Sequence, residues 1–189
     1  MFKVCWRWEM TPREYAAGYT YISATKTVDL PLATEPFPCP RLPLPGTAYT
    51  YQLAISDKSP SQDIQAVVGH HPELPRSGDQ RSGVLVFHGD TIIASTIFLA
   101  THSLVVHPDY RNQGLAARMF LEWNAVTKWP FVSIHNITLA TAKTLLRAHR
   151  DVVERAVAEG KPVPARVQQA IQDGSETAAI LKQAALAAL

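Results

Sequence analysis

The stretch Leu104-Val-Val-His-Pro-Asp-Tyr-Arg-Asn-Gln-Gly-Leu-Ala-Ala-Arg-Met-Phe-Leu-Glu-Trp123 decides the fold of this chain. Its first three residues are apolar and mostly β-branched, which predicts a buried strand. Pro108 ends that strand because its ring nitrogen has no N–H to donate. Gly114 lies where the turn becomes a helix, which is predicted from about Leu115 to Lys128. The predicted buried face of this helix consists of Ala116, Met119, Phe120, Trp123 and Val126.

The turn between this strand and this helix is predicted to bind an anion. The first N–H groups of a helix have no partner within the helix, and the helix dipole favours negative charge beside them. Arg111 adds a cation at the same place. A phosphate or pyrophosphate is therefore the expected ligand. The alternative interpretation is a structural turn that carries a surface arginine by coincidence.

The same stretch carries a resemblance to a known family. Its residues fit the pattern Val-x-Pro-x-x-Arg-x-x-Gly-x-Gly/Ala, and the chain therefore resembles the GNAT superfamily of N-acetyltransferases. The matching residues are Val106, Pro108, Arg111, Gly114 and Ala116. The likeness is tight over the quoted stretch and looser from Ser82 to Arg147. It implies an α+β fold, an α/β/α sandwich whose mixed, mostly antiparallel central sheet has a splayed pair of central strands.

The resemblance also implies acetyl-CoA as co-substrate. Backbone N–H groups from Gln113 to Ala116, helped by Arg111, would hold the pyrophosphate. One N–H between Leu104 and Val106 would bind the thioester carbonyl, and the open strand edge would pair with the pantetheine arm as an added strand. The predicted cofactor-binding residues are Leu104, Val105, Val106, Arg111, Asn112, Gln113, Gly114, Leu115 and Ala116.

The implied reaction is direct transfer of the acetyl group to a primary amine, and it needs a base. The chain has no carboxylate between Asp90 and Asp109, so His102 is the first candidate, with an ordinary pKa suited to neutral pH. A surface or hydrogen-bonded histidine is the alternative interpretation of His102. His135, on the next predicted strand, is the second candidate base.

Protonation of the departing thiolate is less well defined. Members of the family usually carry a tyrosine that acts as general acid on the helix that follows, but Leu146 lies near that position here. The remaining candidates are Tyr110, Ser133 and Thr141, while Asn136 could bind a ligand. The only other chemical signal is the pair His70 and His71, which has no carboxylate or cysteine at ligand spacing, so no metal is predicted.

Hydrophobic patterns predict the other elements of the chain. Thr11 is predicted to cap a short helix, with Pro12 and Glu14 at the favourable positions of its first turn. Six prolines between residues 30 and 46 predict an extended surface loop or, alternatively, a rim of the acceptor site. Strands are predicted at Phe2–Trp8, Tyr19–Val28, Thr47–Ile55, Val84–Phe87, Thr91–Leu99 and Phe131–Leu139. Further helices are predicted at Thr141–Val157, Ala165–Gln172 and Ser175–Leu189.

The order of these elements predicts that the chain is divided into two parts. Residues 1–150 would form the GNAT-like acyl-CoA-binding domain. Residues 151–189 would form a C-terminal helical appendage, since no strand pattern follows Leu139 although the family usually ends with two further strands. The appendage could complete the core, which is the favoured interpretation, or form a homodimer, or dock another partner.

Composition restricts the class of protein. The chain has 189 residues, of which 47% are hydrophobic, and a formal net charge of +2. These values predict a globular protein and do not indicate nucleic-acid binding. Two cysteines and a charged N-terminus predict a reduced, soluble, cytoplasmic protein without a membrane partner.

Two other functions stay open at this point. Because the acid position is apolar, the chain could be a catalytically reduced module that binds or senses acyl-CoA. Alternatively, a GNAT-fold enzyme could act on a nucleic-acid base or aminoacyl-tRNA instead of a small-molecule or protein amine. The residues that could form a basic patch for nucleic acid are Lys143, Arg147, Arg150 and Arg155.

Overall fold

A computed structural model describes residues 5–23, 34–56, 76–78, 81–98, 102–129 and 136–187. Only the backbone is described for Ser56, Arg76, Ser77, Phe98, His102, Ser103, Trp129 and Asn136. The described chain forms two compact units. The helical unit contains residues 5–23, 124–129 and 136–187, and the sheet unit contains residues 34–56, 76–78, 81–98 and 102–123.

Strands and helices are mixed along the chain. The strands in the described residues are β1 (Cys5–Trp6), β2 (Thr20–Tyr21), β3 (Leu42–Pro43), β4 (Thr50–Ser56), β5 (Arg76–Ser77), β6 (Gly83–His88), β7 (Thr91–Phe98), β8 (His102–Val106), β9 (Lys128–Trp129) and β10 (Asn136–Ile137). The α-helices of the same residues are α1 (Pro12–Tyr15), α2 (Leu115–Val126), α3 (Leu139–Ala158), α4 (Ala165–Asp173) and α5 (Ser175–Leu186). The predicted α+β class is therefore confirmed.

The sheet unit is built on an antiparallel sheet in the order β3-β4-β6-β7-β8, to which β5 adds one parallel pairing on β4. Strands β6 and β7 form a hairpin across Gly89 and Asp90, and β8 pairs antiparallel with β7. This confirms the predicted strand–turn–strand and the antiparallel strand after it. Within the described part of the chain, β8 pairs with β7 alone and is therefore an edge strand.

The proline-rich segment contributes to the core of the sheet unit. Most of its described residues are exposed, as predicted, but the side chains of Phe37 and Leu44 are buried. Phe37 packs with Leu85 and Phe87 of β6. A buried side-chain amide holds it there, because Gln52 Oε1 accepts from the Phe37 N–H and Gln52 Nε2 donates to the Phe37 carbonyl, each at 2.9 Å. The expectation of a purely superficial loop is wrong for these two side chains.

Helix α2 begins where it was predicted and ends two residues earlier than Lys128. Its buried side differs slightly from the prediction. Met119, Phe120 and Trp123 are buried, but Ala116 and Val126 are only half-buried. Leu115 and Ala117 are buried in their place. The apolar stripe therefore begins one residue earlier, because Leu115, Met119 and Trp123 follow the i, i+4, i+8 spacing of one helix face.

The helical unit is held together around α1. The predicted capping box is confirmed, since Thr11 Oγ1 accepts from the Glu14 N–H and Glu14 Oε2 accepts from the Thr11 N–H. Arg166 of α4 donates to Glu14 Oε2 at 2.6 Å, and Glu176 of α5 accepts from the Arg13 N–H at 2.9 Å. The C-terminal helices thus pack on α1 and complete the core of this unit. The predicted division at residue 150 stays a prediction, and α3 runs continuously past that residue.

Several predicted boundaries in this unit are wrong. The strand predicted at Tyr19–Val28 ends at Tyr21, since Ile22 and Ser23 are not strand, and residues 24–28 lie outside the described residues. The first strand ends at Trp6, because Arg7–Glu9 form a 3-10 turn closed by the bond from the Trp6 N–H to Glu9 Oε2. Strand β10 ends at Ile137, because Thr138 caps α3 and Leu139 is helical, while residues 131–135 lie outside the described residues. The last helix is preceded by Gly174 in a left-handed conformation, so Ser175 is its first residue and not its cap.

A buried histidine links the stability of the helical unit to pH. His149 of α3 is fully buried, its ring stacks on Tyr15 at 4.4 Å, and its Nε2 lies 3.1 Å from the Arg7 carbonyl oxygen. Burial disfavours the charged imidazolium and lowers the pKa of His149 to about 4. The unfolded chain takes up this proton near the ordinary pKa of 6.5, and the folded chain does so only near 4.

We therefore expect stability to fall as the pH drops from 6.5 towards 4, because unfolding takes up one proton at His149 in this window. The predicted loss attributable to His149 is up to about 3 kcal/mol. Urea unfolding at pH 7.5 and pH 4.5 measures it. His149→Gln keeps a donor for the Arg7 carbonyl but does not titrate, so its stability should fall less. An equal fall in both proteins would contradict the assignment to His149.

Candidate functional site

The predicted anion site is a bend of residues 107–114 in the sheet unit. The N–H of His107 donates to the Ile93 carbonyl at 2.9 Å and extends the β7–β8 pairing by one residue. Pro108–Tyr110 then form a 3-10 turn, and the chain reaches α2 through two left-handed residues, Asn112 (φ 64°) and Gly114 (φ 76°). The strand, turn and helix predicted from the sequence are therefore present in the predicted order.

Glycine is favoured at position 114 because the backbone there is left-handed, and not because neighbouring atoms exclude a side chain. Apart from its two chain neighbours, no atom of the described residues would lie within 4 Å of a Cβ placed there, so the space above the bend is open on this side. A residue with a side chain would nevertheless be strained at a φ of 76°. The bend is thus not buried against other described parts of the protein at Gly114.

Backbone amides at the end of the bend and the start of α2 are unpaired among the described residues. The first helical hydrogen bond runs from the Arg118 N–H to the Gly114 carbonyl at 3.1 Å. The N–H groups of residues 113–117 have no hydrogen-bond partner among the described residues. Unpaired N–H groups at the start of a 12-residue helix form a positive site that favours an anion.

Arg111 supplies a fixed charge beside these amides. Its Nε donates to the Val106 carbonyl at 3.1 Å, which ties the exposed side chain back to the end of β8. Its guanidinium forms no ion pair with an acidic side chain in the part of the chain that is described. The Nη atoms can therefore turn to a ligand without first giving up a carboxylate.

An aromatic cluster lies against the bend. The Tyr110 hydroxyl is 2.8 Å from His88 Nδ1, and the Tyr49 hydroxyl donates to Gln113 Oε1 at 2.9 Å. The three rings of Tyr49, His88 and Tyr110 contact one another edge to face, with centroids 5.4–5.9 Å apart. The cluster therefore joins the bend to the ends of β4 and β6.

The sequence interpretation missed Tyr49 and His88. The strand order could have identified His88. Strands β6 and β8 are both antiparallel to β7, so their C-terminal ends lie at the same end of the sheet. His88 ends β6 and the bend follows β8, which makes them neighbours once the meander is predicted. Tyr49 carries no comparable local signal, since it precedes β4 and follows a segment of irregular structure.

The predicted catalytic residues are only partly described. His102 begins β8 opposite Phe98, and its side chain is not described. His135 and Ser133 lie outside the described residues. Asn136 pairs with Thr20 through the β10–β2 ladder, and the backbone N–H of Thr141 donates to Thr138 Oγ1 at the start of α3. Leu146 is buried in α3. A base–acid pair is thus still a prediction.

Burial disfavours the thiolate form of both cysteines. Cys5 and Cys39 are both free thiols. Burial raises the pKa of both, and that of Cys39 reaches about 11. A thiol with so high a pKa stays protonated and is a poor acceptor of an acyl group.

The described residues show neither a metal-binding cluster nor a membrane-spanning helix. They contain no group of three or more His, Cys, Asp or Glu side chains that could hold a metal, and the predicted pair His70 and His71 lies outside them. Among the helices that the structure describes, none combines the length and apolar character needed to cross a bilayer.

Comparison with known proteins returned no significant match to a family model, a curated protein or a solved structure. Function is therefore inferred from the geometry of the bend and from the motif that it carries.

The open space above Gly114 makes a prediction about stability. Gly114→Ala should lower the free energy of unfolding by only about 1–2 kcal/mol, the cost of a left-handed residue that bears a Cβ. Gly83→Ala should lower it by about 3 kcal/mol or more, because its Cβ would lie 1.9 Å from the Thr96 carbonyl oxygen in the β6–β7 ladder. Urea titration of both variants measures the difference. A large loss for Gly114→Ala would show that the bend is packed and not open.

Proposed function

We propose that the chain is a GNAT-like N-acetyltransferase that moves an acetyl group directly from acetyl-CoA to a primary amine. The observation that supports this most is the bend at Gly114. An edge strand runs through a left-handed glycine into a helix whose first amides are unpaired, and the residues there fit the acetyl-CoA-binding motif. The α/β/α sandwich and the splayed pair of central strands are parts of the same proposal.

The diphosphate of acetyl-CoA would be held by the bend. The N–H groups of residues 113–117 would donate to its oxygens, and Arg111 would add a charge-assisted bond. Such bonds are stronger than bonds between neutral groups, which suits a ligand with several negative charges. The open space over Gly114 gives the oxygens room to approach the backbone.

The pantetheine arm would extend along β8. Because β8 is an edge strand in the described part of the chain, alternate N–H and C=O groups of Leu104, Val105 and Val106 face away from β7. A pantetheine arm has amide groups that can pair with such an edge as an added strand. One of these N–H groups would bind the thioester carbonyl and stabilise the oxyanion that forms during transfer.

The chemistry would be a direct attack on the thioester. The neutral amine would form the new C–N bond to the acetyl carbon, and the C–S bond would then break and release the CoA thiolate. Burial raises the pKa of both cysteine thiols, which supports direct transfer over an acyl-enzyme. His102 is proposed as the base that takes the proton of the ammonium, with His135 as the second candidate.

Tyr110 fits a different role better than that of the acid. Its hydroxyl is bonded to His88 at the bend, beside the residues that would hold the diphosphate. The thioester of an extended CoA lies at the opposite end of the molecule. This position favours a role for Tyr110 in holding the bend, and leaves Ser133 and Thr141 as candidates for protonating the thiolate.

An amine acceptor is favoured over nucleic acid. On α3, Arg147 lies 3.9 Å from an oxygen of Asp151, and Arg150 lies 3.6 Å from one of Glu154. These carboxylates offset the charge of the predicted basic patch. We accordingly propose a small-molecule or protein amine as acceptor.

A reducing, cytoplasmic location is part of the same proposal, and the free thiols of both cysteines support it.

Calorimetry with CoA tests the proposed cofactor. Arg111→Ala should weaken CoA binding by about 10- to 100-fold, because a charge-assisted hydrogen bond to phosphate is lost. Arg41→Ala is a matched control, since Arg41 is in the same unit and its guanidinium also donates to a backbone carbonyl, that of Gly89. Absence of CoA binding by the unaltered protein, or an equal loss in both variants, would refute the proposal.

Turnover separates an enzyme from a sensor. Release of the CoA thiol is followed with acetyl-CoA and a panel of primary amines. His102→Ala should lower the rate by about 10²- to 10⁴-fold and leave CoA affinity nearly unchanged, as expected for loss of a general base. Binding of CoA with no turnover on any amine would favour the sensor. A salt series of RNA and DNA binding tests the nucleic-acid alternative.

A further inference from the structure

The end of the proline-rich segment forms a tight turn beside the bend. The Thr47 N–H donates to the Leu44 carbonyl at 3.2 Å, and Gly46 occupies the third position with φ 70°. Proline at the second position and glycine at the third are typical of such a turn. The Leu44 N–H then donates to the Tyr49 carbonyl at 2.9 Å, so residues 44–49 form one closed unit. We call these residues the supporting turn.

The first contact from the supporting turn to the bend is made by Tyr49. Its N–H donates to Thr47 Oγ1 at 3.1 Å, which fixes its backbone on the turn. Its hydroxyl donates to Gln113 Oε1 at 2.9 Å. Gln113 lies between the two left-handed residues of the bend, Asn112 and Gly114. Tyr49 therefore forms a hydrogen bond with the residue that separates the two left-handed positions.

The second contact is made by Arg118 on the other side of Gly114. Its Nη1 donates to the Pro45 carbonyl at 2.5 Å. A Cβ on Gly46 would lie 2.9 Å from this Nη1 atom. The guanidinium thus lies directly on the backbone of the supporting turn. The backbone N–H of Arg118 donates to the Gly114 carbonyl at 3.1 Å. The supporting turn is therefore linked to residues on both sides of Gly114.

The side chains around Tyr49 reinforce this arrangement. The Tyr49 ring contacts Tyr110 of the bend at 5.9 Å and His88 at 5.4 Å, and His88 is bonded to the Tyr110 hydroxyl. The bend is thus held through Gln113, Tyr110 and the helix start by residues that are distant in sequence. Asn112 is a non-glycine residue at φ 64°, a conformation that persists when its surroundings hold it.

We infer that residues 44–49 pre-organise the amides of residues 113–117, with Tyr49 and Arg118 as positioning residues. The identity of the anion rests on the proposed function, whereas the ordering of the amides does not. Groups that are already ordered before binding lose less entropy when the ligand arrives. The end of the proline-rich segment is accordingly assigned to the donor site and not to a rim of the acceptor site.

Tyr49→Phe tests this inference with the smallest change, since it keeps the ring contacts and removes only the hydroxyl. Affinity is measured by calorimetry for CoA and for pantetheine, which lacks the phosphates. CoA binding should weaken about three- to tenfold, the effect of one neutral hydrogen bond, and pantetheine binding should not change. In a Gln113→Ala background the effect of Tyr49→Phe should disappear, because the two side chains act through one bond.

Tyr51→Phe is the matched control. It removes a hydroxyl two residues further along the chain, in β4, and that hydroxyl donates to Glu122 Oε2 of α2 at 3.3 Å. This variant should leave the affinity for both ligands unchanged. An equal weakening of CoA and pantetheine by Tyr49→Phe would show a general structural role and overturn the inference, as would an equal effect of Tyr51→Phe on CoA.

A measurement without ligand separates this inference from the proposed function. Nitrogen-15 relaxation gives the order parameters of the amides of residues 113–117. Tyr49→Phe should lower them, and Tyr51→Phe should not. If the unaltered protein binds no CoA, the proposed function fails and the order parameters alone decide on the supporting turn. Unchanged order parameters in Tyr49→Phe would overturn the inference whether or not CoA binds.

Discussion

The backbone pairing of β7 with β8 determines where the bend begins. Val106 lies opposite Ala94, and the bond from the His107 N–H to the Ile93 carbonyl carries the ladder one residue further. Pro108 cannot extend it, so the chain leaves the sheet at a fixed point. A shift of one residue in this register would turn every side chain of β8 to the other face of the sheet. Because the bend leads directly into α2, the end of this ladder also determines where the amides at the start of α2 lie.

The bend and its flanking elements could be predicted because their signals are local. An apolar run before Pro108, a glycine at Gly114 and a helical spacing after it act within a few residues of one another. The capping box at Thr11 was predictable for the same reason. The predicted cap at Ser175 failed because the neighbouring Gly174 adopts a left-handed conformation and ends one helix where the next begins. Local signals predict that a helix or strand ends nearby more reliably than they predict the exact residue at which it ends.

The contacts that support the candidate site could not be predicted, because they join residues far apart in sequence. Tyr49 reaches Gln113, and Gln52 holds Phe37, only once the order of the strands has placed them side by side. Proline content correctly indicated a segment whose described residues are mostly exposed. It could not indicate that Phe37 would be buried, since burial depends on the space that the sheet leaves open.

Within the sheet unit, the residues of the core differ from those of the proposed binding site. The core residues that hold the sheet, such as Leu85 and Phe87, are buried, whereas Arg111 and Gln113 are exposed and contribute little to packing. Unpaired amides are tolerated where water can reach them, and in the described part of the chain open space lies over Gly114. A ligand that replaces this water gains bonds to groups already in position. The fold can therefore keep a strained, open bend without weakening its core, which is the arrangement expected of a binding site built on a rigid sheet.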